Sequence, residues 1–280
     1  MVGLKVVNLM AVSTEAPMIG RRYILNRPLG HGGMGAVYHA TDRLTGTPVA
    51  SKRVTPPNEA SPTDSTSDSQ DYRIALAGEF KVLSSLRHPN IISVIDYGFD
   101  DQRQPYYTME LVENAQTIIE AGADRPLVEQ VGLLVQMLQA LAYLHRRGVI
   151  HRDLKPRNVL VTGGQVKVLD FGLSVMAEQA GVGVGSTAGT LAYMAPEVLA
   201  GGQASESADL YAGGVIAYEL FAGKHPFDSE DVGTLLNNVL YVPPDMDLLS
   251  SDTQLRLVLE RLLAKSRESR YRTANEVLAE

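Results

Sequence analysis

Between positions 151 and 170 the chain sets out His151-Arg152-Asp153-Leu154-Lys155-Pro156-Arg157-Asn158, and Asp170-Phe171-Gly172 follows. These residue types can do chemistry together. An Asp held next to a hydroxyl accepts its proton, a cation stands two positions on, and an Asn and a second Asp are hard oxygen donors of the kind that hold magnesium. Around the phosphates of a nucleotide, such a set is equipped for phosphoryl transfer. Each piece alone is a weak signal, because a His-x-Asp tripeptide or an Asp-Phe-Gly turn recurs by chance.

Order and spacing strengthen the signal. Leu29-Gly30-His31-Gly32-Gly33-Met34-Gly35-Ala36-Val37 carries glycines at 30, 32 and 35, the pattern G-x-G-x-x-G-x-V. Val49-Ala50-Ser51-Lys52 comes next, where a strand would carry a lysine toward phosphates, and then Glu79 on a segment with helical apolar spacing at Ile74, Leu76, Phe80, Leu83 and Leu86. Ala195-Pro196-Glu197 closes the segment that Asp170 opens. In this order the motifs resemble those of eukaryotic-type (Hanks-type) serine/threonine protein kinases. The Gly-Gly-Met-Gly loop is similar to that of bacterial members, and the resemblance covers about residues 20 to 280.

The resemblance implies an α+β, bilobal protein-kinase fold, with a small β-rich N-lobe holding one key helix and a larger helical C-lobe. It implies ATP as phosphoryl donor, Mg²⁺ (or Mn²⁺) as metal, and Ser/Thr hydroxyls of proteins as acceptors, with autophosphorylation among the outcomes. Gly30, Gly32 and Gly35 would lay a hairpin backbone over the phosphates, flanked by Leu29, His31, Gly33 and Met34. Lys52 would contact the phosphates and pair with Glu79. Asp153 would be the base, Lys155 would neutralise the transferred group and favour Ser/Thr over Tyr substrates, and Asn158 and Asp170 would ligate the metal. Adenine would meet the backbone of Glu110-Leu111-Val112 behind the gatekeeper Met109, between Val37, Ala50 and Leu160.

Further roles follow from the same resemblance. Leu83, Val94, His151 and Phe171 would stack into a spine linking the lobes, which makes His151 structural rather than a proton carrier. Glu197 would be buried against Arg270, and Asp209 would anchor the catalytic loop. Ser186 and Thr187 are the candidate phosphosites, with Arg152 as docking partner for a phosphate and Arg73 as a helper. Thr190 would shape the substrate site and contact Asp153. Arg157 stands where Arg-directed relatives carry a glutamate, which implies weak preference for basic peptides.

Two lobes must position these residues. From Tyr23 to Met109 the text is strand-like, with β-branched and aromatic runs at 36–38, 47–54, 91–97 and 106–110 and one helix around Glu79. Leu127 to Arg147 carries an apolar stripe at 127, 131, 134, 138 and 141, with cations and Gly148 at its end. The expected organisation is a disordered tail over 1–20 and a kinase domain over 21–280, with N-lobe to about 110, hinge 110–114 and C-lobe from 115. A mobile insert is expected over 55–71, whose Pro, Ser and Thr content cannot bury enough apolar surface to offset chain entropy. The insert lengthens the Lys52 to Glu79 interval (79 − 52 = 27) beyond what the family leads one to expect.

Composition sets limits. The 280 residues, 45% hydrophobic and 20% charged, belong to an ordinary globular chain, and a net charge of −7 argues against a nucleic-acid surface. With Cys 0 there is no disulfide framework, thiolate zinc site or cysteine nucleophile, and the expected location is cytoplasmic. The apolar run Leu210 to Tyr218 falls short of the ~20 residues a membrane span needs, so no span is expected. Apart from His151, the five histidines at 31, 39, 88, 145 and 225 lack metal-ligand spacing. A homodimer and a larger parent protein stay open, as do two other functions, an ATP-binding scaffold without transfer activity and a small-molecule phosphotransferase.

Overall fold

The computed structural model describes residues 17–32, 35–54, 80–171, 188–227, 229, 231–249 and 252–280. Strands β1 (Met18–Ile19), β2 (Tyr23–Gly32), β3 (Gly35–Asp42), β4 (Pro48–Val54), β5 (Val94–Phe99) and β6 (Pro105–Glu110) form one antiparallel sheet in the order β1-β2-β3-β4-β6-β5. Pro48 opens its strand, where a missing N–H costs least. The β2–β3 register sets Gly30 opposite Val37 and Gly32 opposite Gly35, which puts the glycine motif at the tip of a hairpin. Helix α1, described over 80–85, lays Phe80 and Leu83 against the sheet, and Phe80 stacks on Tyr97 with centroids 5.3 Å apart.

The larger lobe is helical: α2 (Ile118–Gly122), α3 (Leu127–Arg146), α4 (Ala188–Leu191), α5 (Pro196–Leu199), α6 (Glu206–Ala222), α7 (Val232–Tyr241), α8 (Thr253–Leu262) and α9 (Ala274–Leu278). A three-stranded sheet, β7 (Gln116–Thr117), β8 (Val159–Thr162) and β9 (Gln165–Val168), lies against it. In α3 the residues Leu134, Leu138 and Leu141 are buried along one stripe, and Gly148 takes φ +71° just past the helix, a conformation that costs glycine little. Helix α6 is buried from Ser207 to Tyr218, which requires side chains apolar all round except where a polar partner waits. Together these residues make the α+β, two-lobed architecture that the motifs implied.

Three local expectations need revision. At the end of the stretch 1–20 that reads as tail, Met18–Ile19 pairs with β2 and Ile19 is fully buried, because its side chain joins Tyr23, Leu25, Ala40, Val49 and Tyr106 in a second apolar cluster. Among the described residues the helix long and apolar enough for a span is Leu127–Arg146 rather than the Leu210 to Tyr218 run; at 20 residues it has the length and composition of a span, but its apolar stripe packs into the protein core. The strand expected over 91–97 begins at Val94. Ile91 and Ile92 instead meet β9, with Ile92 N–H donating to Val168 O at 3.0 Å and Val168 N–H to Asn90 O at 2.9 Å, a seam between the lobes. The expected insert over 55–71 lies outside the described residues.

Candidate active site

The loop at 151–158 is held from below. Asp209, buried on α6, accepts the backbone N–H of His151 at 2.8 Å through one oxygen and that of Arg152 at 2.9 Å through the other. His145 Nε2, from the end of α3, lies 2.8 Å from the first of these oxygens. Arg152 takes φ +68° and Asp170 φ +56°, a region L-residues enter at a cost that such anchoring offsets. A single 3-10 turn, Pro156–Asn158, then redirects the chain into β8, with Pro156 at its first position.

That turn brings Asp153, Lys155 and Asn158 together. Lys155 Nζ donates to Asp153 Oδ1 at 2.9 Å and to Thr190 Oγ1 at 3.1 Å. Asn158 Nδ2 donates to the Asp153 carbonyl at 2.7 Å and to its Oδ2 at 3.2 Å. Both oxygens of the Asp153 carboxylate are thereby oriented. Thr190 reaches Asp153 through Lys155. Arg157, between them in sequence, is exposed.

Across the cleft, Lys52 Nζ lies 2.7 Å from Asp170 Oδ2, and the Tyr107 hydroxyl donates to Asp170 Oδ1 at 2.7 Å. Burial works to raise the Asp170 pKa, but the Lys52 charge and the two hydrogen bonds outweigh it and hold the carboxyl below its usual range. Burial, with the neighbouring carboxylate, pushes the Tyr107 phenol well above its usual value.

The residues expected around a nucleotide come from β2, β3, β4 and β6, from the segment after β6 and from β8. Val37 stands opposite Lys52 in the β3–β4 ladder, and Ala50 stands opposite Met109 in the β4–β6 ladder. Ala50 and Met109 are buried, Val37, Glu110, Val112 and Leu160 half-buried, and Leu29, Gly30 and His31 exposed. A Cβ on Gly30 would meet nothing within 4 Å, so protein packing does not explain that glycine. Glu110 closes the strand with a 2.7 Å ion pair to Lys167 on β9, which ties the hinge to the larger lobe.

His151 is fully buried, with its ring edge-on to Phe171 at 6.3 Å between centroids, and burial lowers its pKa despite three carboxylates nearby. Leu83, Val94 and Phe171 are buried in the same core cluster. Arg270 makes a two-pronged pair with Glu197, both hydrogen bonds 2.8 Å, and also donates to the carbonyls of Ala264 and Lys265. Glu79, Gly33, Met34, Arg73, Ser186 and Thr187 lie outside the described residues.

Several site residues carried no signal in the sequence. Tyr107 reads there as one more aromatic of a strand, His145 as one of the scattered histidines and Lys167 as an unremarked lysine. Tyr193 likewise donates to Glu219 at 2.6 Å across 26 positions.

The donor set suits a divalent cation bound mainly through nucleotide phosphates. Asn158 commits its amide nitrogen to two oxygens of Asp153, which leaves the amide oxygen to face a metal, and Asp170 adds a carboxylate. Among the described residues no group of three or more His, Cys, Asp or Glu side chains could hold an ion alone. Mg²⁺ asks for no such cage, since one or two protein oxygens plus phosphates and waters suffice.

With this geometry in place, the comparisons with known proteins are specific. The protein kinase domain model matches residues 23–280. A probable serine/threonine-protein kinase of Streptomyces coelicolor is 32% identical over 275 residues, 94% of this chain and 40% of the relative. Serine/threonine-protein kinase PknA of Mycobacterium tuberculosis is 34% identical over 260 residues, 90% of this chain and 58% of the relative. PrkC of Bacillus subtilis is 32% identical over 269 residues, 94% of this chain and 40% of the relative. The chain thus spans 40% to 58% of the length of these relatives. It belongs to the protein kinase domain family and is of the bacterial serine/threonine type.

Proposed function

We propose that the chain transfers the γ-phosphoryl group of ATP to Ser or Thr hydroxyls of proteins. The observation that carries this is the Asp153 carboxylate, held by Lys155 at 2.9 Å and Asn158 at 3.2 Å, in the same chain that pairs Lys52 with Asp170 at 2.7 Å. Asp153 accepts the proton of the acceptor hydroxyl as its oxygen bonds to the γ-phosphorus, and the bond from phosphorus to the bridging oxygen breaks as ADP leaves. Lys155 stabilises charge on the transferred group, and its bond to Thr190 ties that charge to the segment that shapes the acceptor site. Mg²⁺, or Mn²⁺ in its place, would be held by Asn158 and Asp170 and would neutralise charge on the phosphates.

Lys52 exchanges Asp170 for the α- and β-phosphates when nucleotide enters, and Glu79 pairs with it in that state. The protein acts in the cytoplasm, where ATP is available, as part of a larger parent protein or a homodimer; the share of the relatives' length it spans supports the former. Phosphorylation at Ser186 or Thr187, docked by Arg152, is the proposed control. Substrates carry little selection for basic residues, a reading supported by the exposed cation at Arg157.

The deciding experiment incubates the purified chain with Mg²⁺ and labelled ATP beside Asp153→Asn, with a general protein substrate and mapping of phosphosites. Loss of a general base typically lowers the rate by ~10²–10⁴-fold, so only the wild type should label protein. Nucleotide binding without transfer to any protein would favour a scaffold, and label on small molecules alone would favour the phosphotransferase reading.

A further inference from the structure

Tyr107 stands directly opposite Lys52 in the β4–β6 ladder. Paired residues leave the same face of a sheet, so the two side chains converge on one target. That target is the Asp170 carboxylate, with Lys52 Nζ 2.7 Å from Oδ2 and the Tyr107 hydroxyl 2.7 Å from Oδ1. The tyrosine is only 3% exposed, its ring tilts against Phe80 at 5.3 Å, and β6 is flanked on both sides by other strands. Its hydroxyl is therefore set by rigid scaffold, whereas the Lys52 ammonium rides on a flexible four-carbon stem.

Packing alone does not ask for that hydroxyl. The ring sits in a cluster of Phe80, Leu83, Val94 and Met109, where phenylalanine would serve as well, and burying a phenol is costly unless it is hydrogen-bonded. Here the bond goes to the side chain whose backbone is held at φ +56°. When phosphates compete for Lys52, Asp170 loses one of its two holds, and the other is Tyr107.

We propose that Tyr107 is a positioning residue for metal loading, holding the Asp170 carboxylate in place when Lys52 turns to the nucleotide. This rests on the reading of Asp170 as a metal ligand and Lys52 as a phosphate contact. Groups that orient a metal ligand typically contribute ~10–100-fold in metal affinity, which sets the size of the effect.

The test compares wild type, Tyr107→Phe, Asp170→Asn and Tyr106→Phe in two readouts. One is the rise in melting temperature that MgCl₂ adds on top of a non-hydrolysable ATP analogue, followed as a function of free Mg²⁺. The other is the free Mg²⁺ giving half-maximal phosphotransfer at saturating ATP. Tyr107→Phe should raise both Mg²⁺ midpoints about tenfold or more, while binding of the analogue without metal and the rate at saturating Mg²⁺ stay near wild type. Unchanged or lowered midpoints, or a rate loss that excess Mg²⁺ does not restore, would overturn the proposal. Tyr106→Phe removes a neighbouring buried hydroxyl that makes no bond to Asp170 and should behave as wild type; an equal shift there reduces the effect to the loss of any buried hydroxyl and also overturns it. Asp170→Asn should abolish the Mg²⁺-dependent rise in melting temperature. If it does not, the metal assignment fails, and the role of Tyr107 falls with it, an outcome distinguishable from failure of Tyr107 alone.

Discussion

The guanidinium of Arg270 and the carboxylate of Glu197 meet in two parallel hydrogen bonds of 2.8 Å across 73 positions of sequence. The arginine side chain is wholly buried, and its ring-stacking contact is Tyr211 on α6, 4.7 Å from the guanidinium carbon. The pair staples α5, which carries Glu197, to the segment that leads into α9. Burial also pushes the Tyr211 phenol far above its usual range, so that neighbour stays neutral.

Removing Glu197 leaves the buried Arg270 charge with backbone carbonyls alone, and removing Arg270 leaves a half-buried carboxylate without its cation. Arg270→Ala, or Glu197→Ala, should cost about 3–5 kcal/mol of unfolding free energy, read from urea denaturation of the whole chain. A cost under about 1 kcal/mol for both would mean that the pair behaves as an exposed one.

Thr190 offers a test that separates the acceptor from the nucleotide. Its hydroxyl accepts from Lys155 at 3.1 Å, and hydrogen bonds to charged groups contribute about 1.5–3 kcal/mol. Thr190→Ala should lower kcat/KM for a protein acceptor about tenfold or more, with the KM for ATP unchanged. A matching change in the ATP KM would place Thr190 in nucleotide binding instead.

His151 supplies a pH dependence. Burial lowers its pKa in the folded chain below the unfolded value, so the unfolded state takes up the proton first as pH falls. The stability that the neutral ring contributes is present above about pH 6.5 and is lost as pH drops below it. Melting temperatures measured from pH 7.5 to pH 5 should fall in the wild type, and the fall should be shallower in His151→Phe. Parallel curves would exclude this origin.

Two adjacent glycines on α6 should respond oppositely to alanine. A Cβ on Gly214 would stand 2.8 Å from Leu262 Cβ and 3.3 Å from Leu263 Cδ2, whereas on Gly213 its nearest neighbour is the flexible end of Met137 at 3.4 Å. Gly214→Ala should destabilise by about 1–3 kcal/mol through overpacking. Gly213→Ala should be neutral or stabilise by up to about 1 kcal/mol through helix propensity. Calorimetric melting of the two variants checks the contrast.

A corner of the N-lobe gives an acid limit. Arg22 donates to both oxygens of Asp42 at 2.9 and 2.7 Å, and that pairing lowers the Asp42 pKa to about 2. A depressed carboxyl contributes stability above its unfolded value, lost as pH falls from about 4 toward 2. Asp42→Asn should lower stability at pH 7 and lose less between pH 4 and pH 2 than the wild type does. An identical acid slope in both would assign the loss to other groups.

Much of this molecule was legible without coordinates, because its chemistry is local in sequence. Asp153, Lys155 and Asn158 sit within six consecutive positions, so their spacing alone brings them near one another, and the glycines at 30, 32 and 35 fall at the tip of the β2–β3 hairpin. The stripe at 134, 138 and 141 announces a helix by period. What could not be read was whatever depends on how distant elements meet. Two strand residues give no periodicity, so Ile19 reads as tail in the sequence, and only its cluster with Tyr23 and Tyr106 shows it buried. Tyr107 and Asp170 are 63 positions apart, and nothing in either neighbourhood announces their bond. Motif order determined the family and the two lobes, and it supplied the candidate reacting residues, since these rest on residue type and short spacing. The tertiary structure alone decided that Tyr107 shares the Asp170 carboxylate with Lys52 and that His145 shares Asp209 with the catalytic loop, because strand register and helix packing, not sequence distance, bring those polar groups into one buried place where each must find a partner.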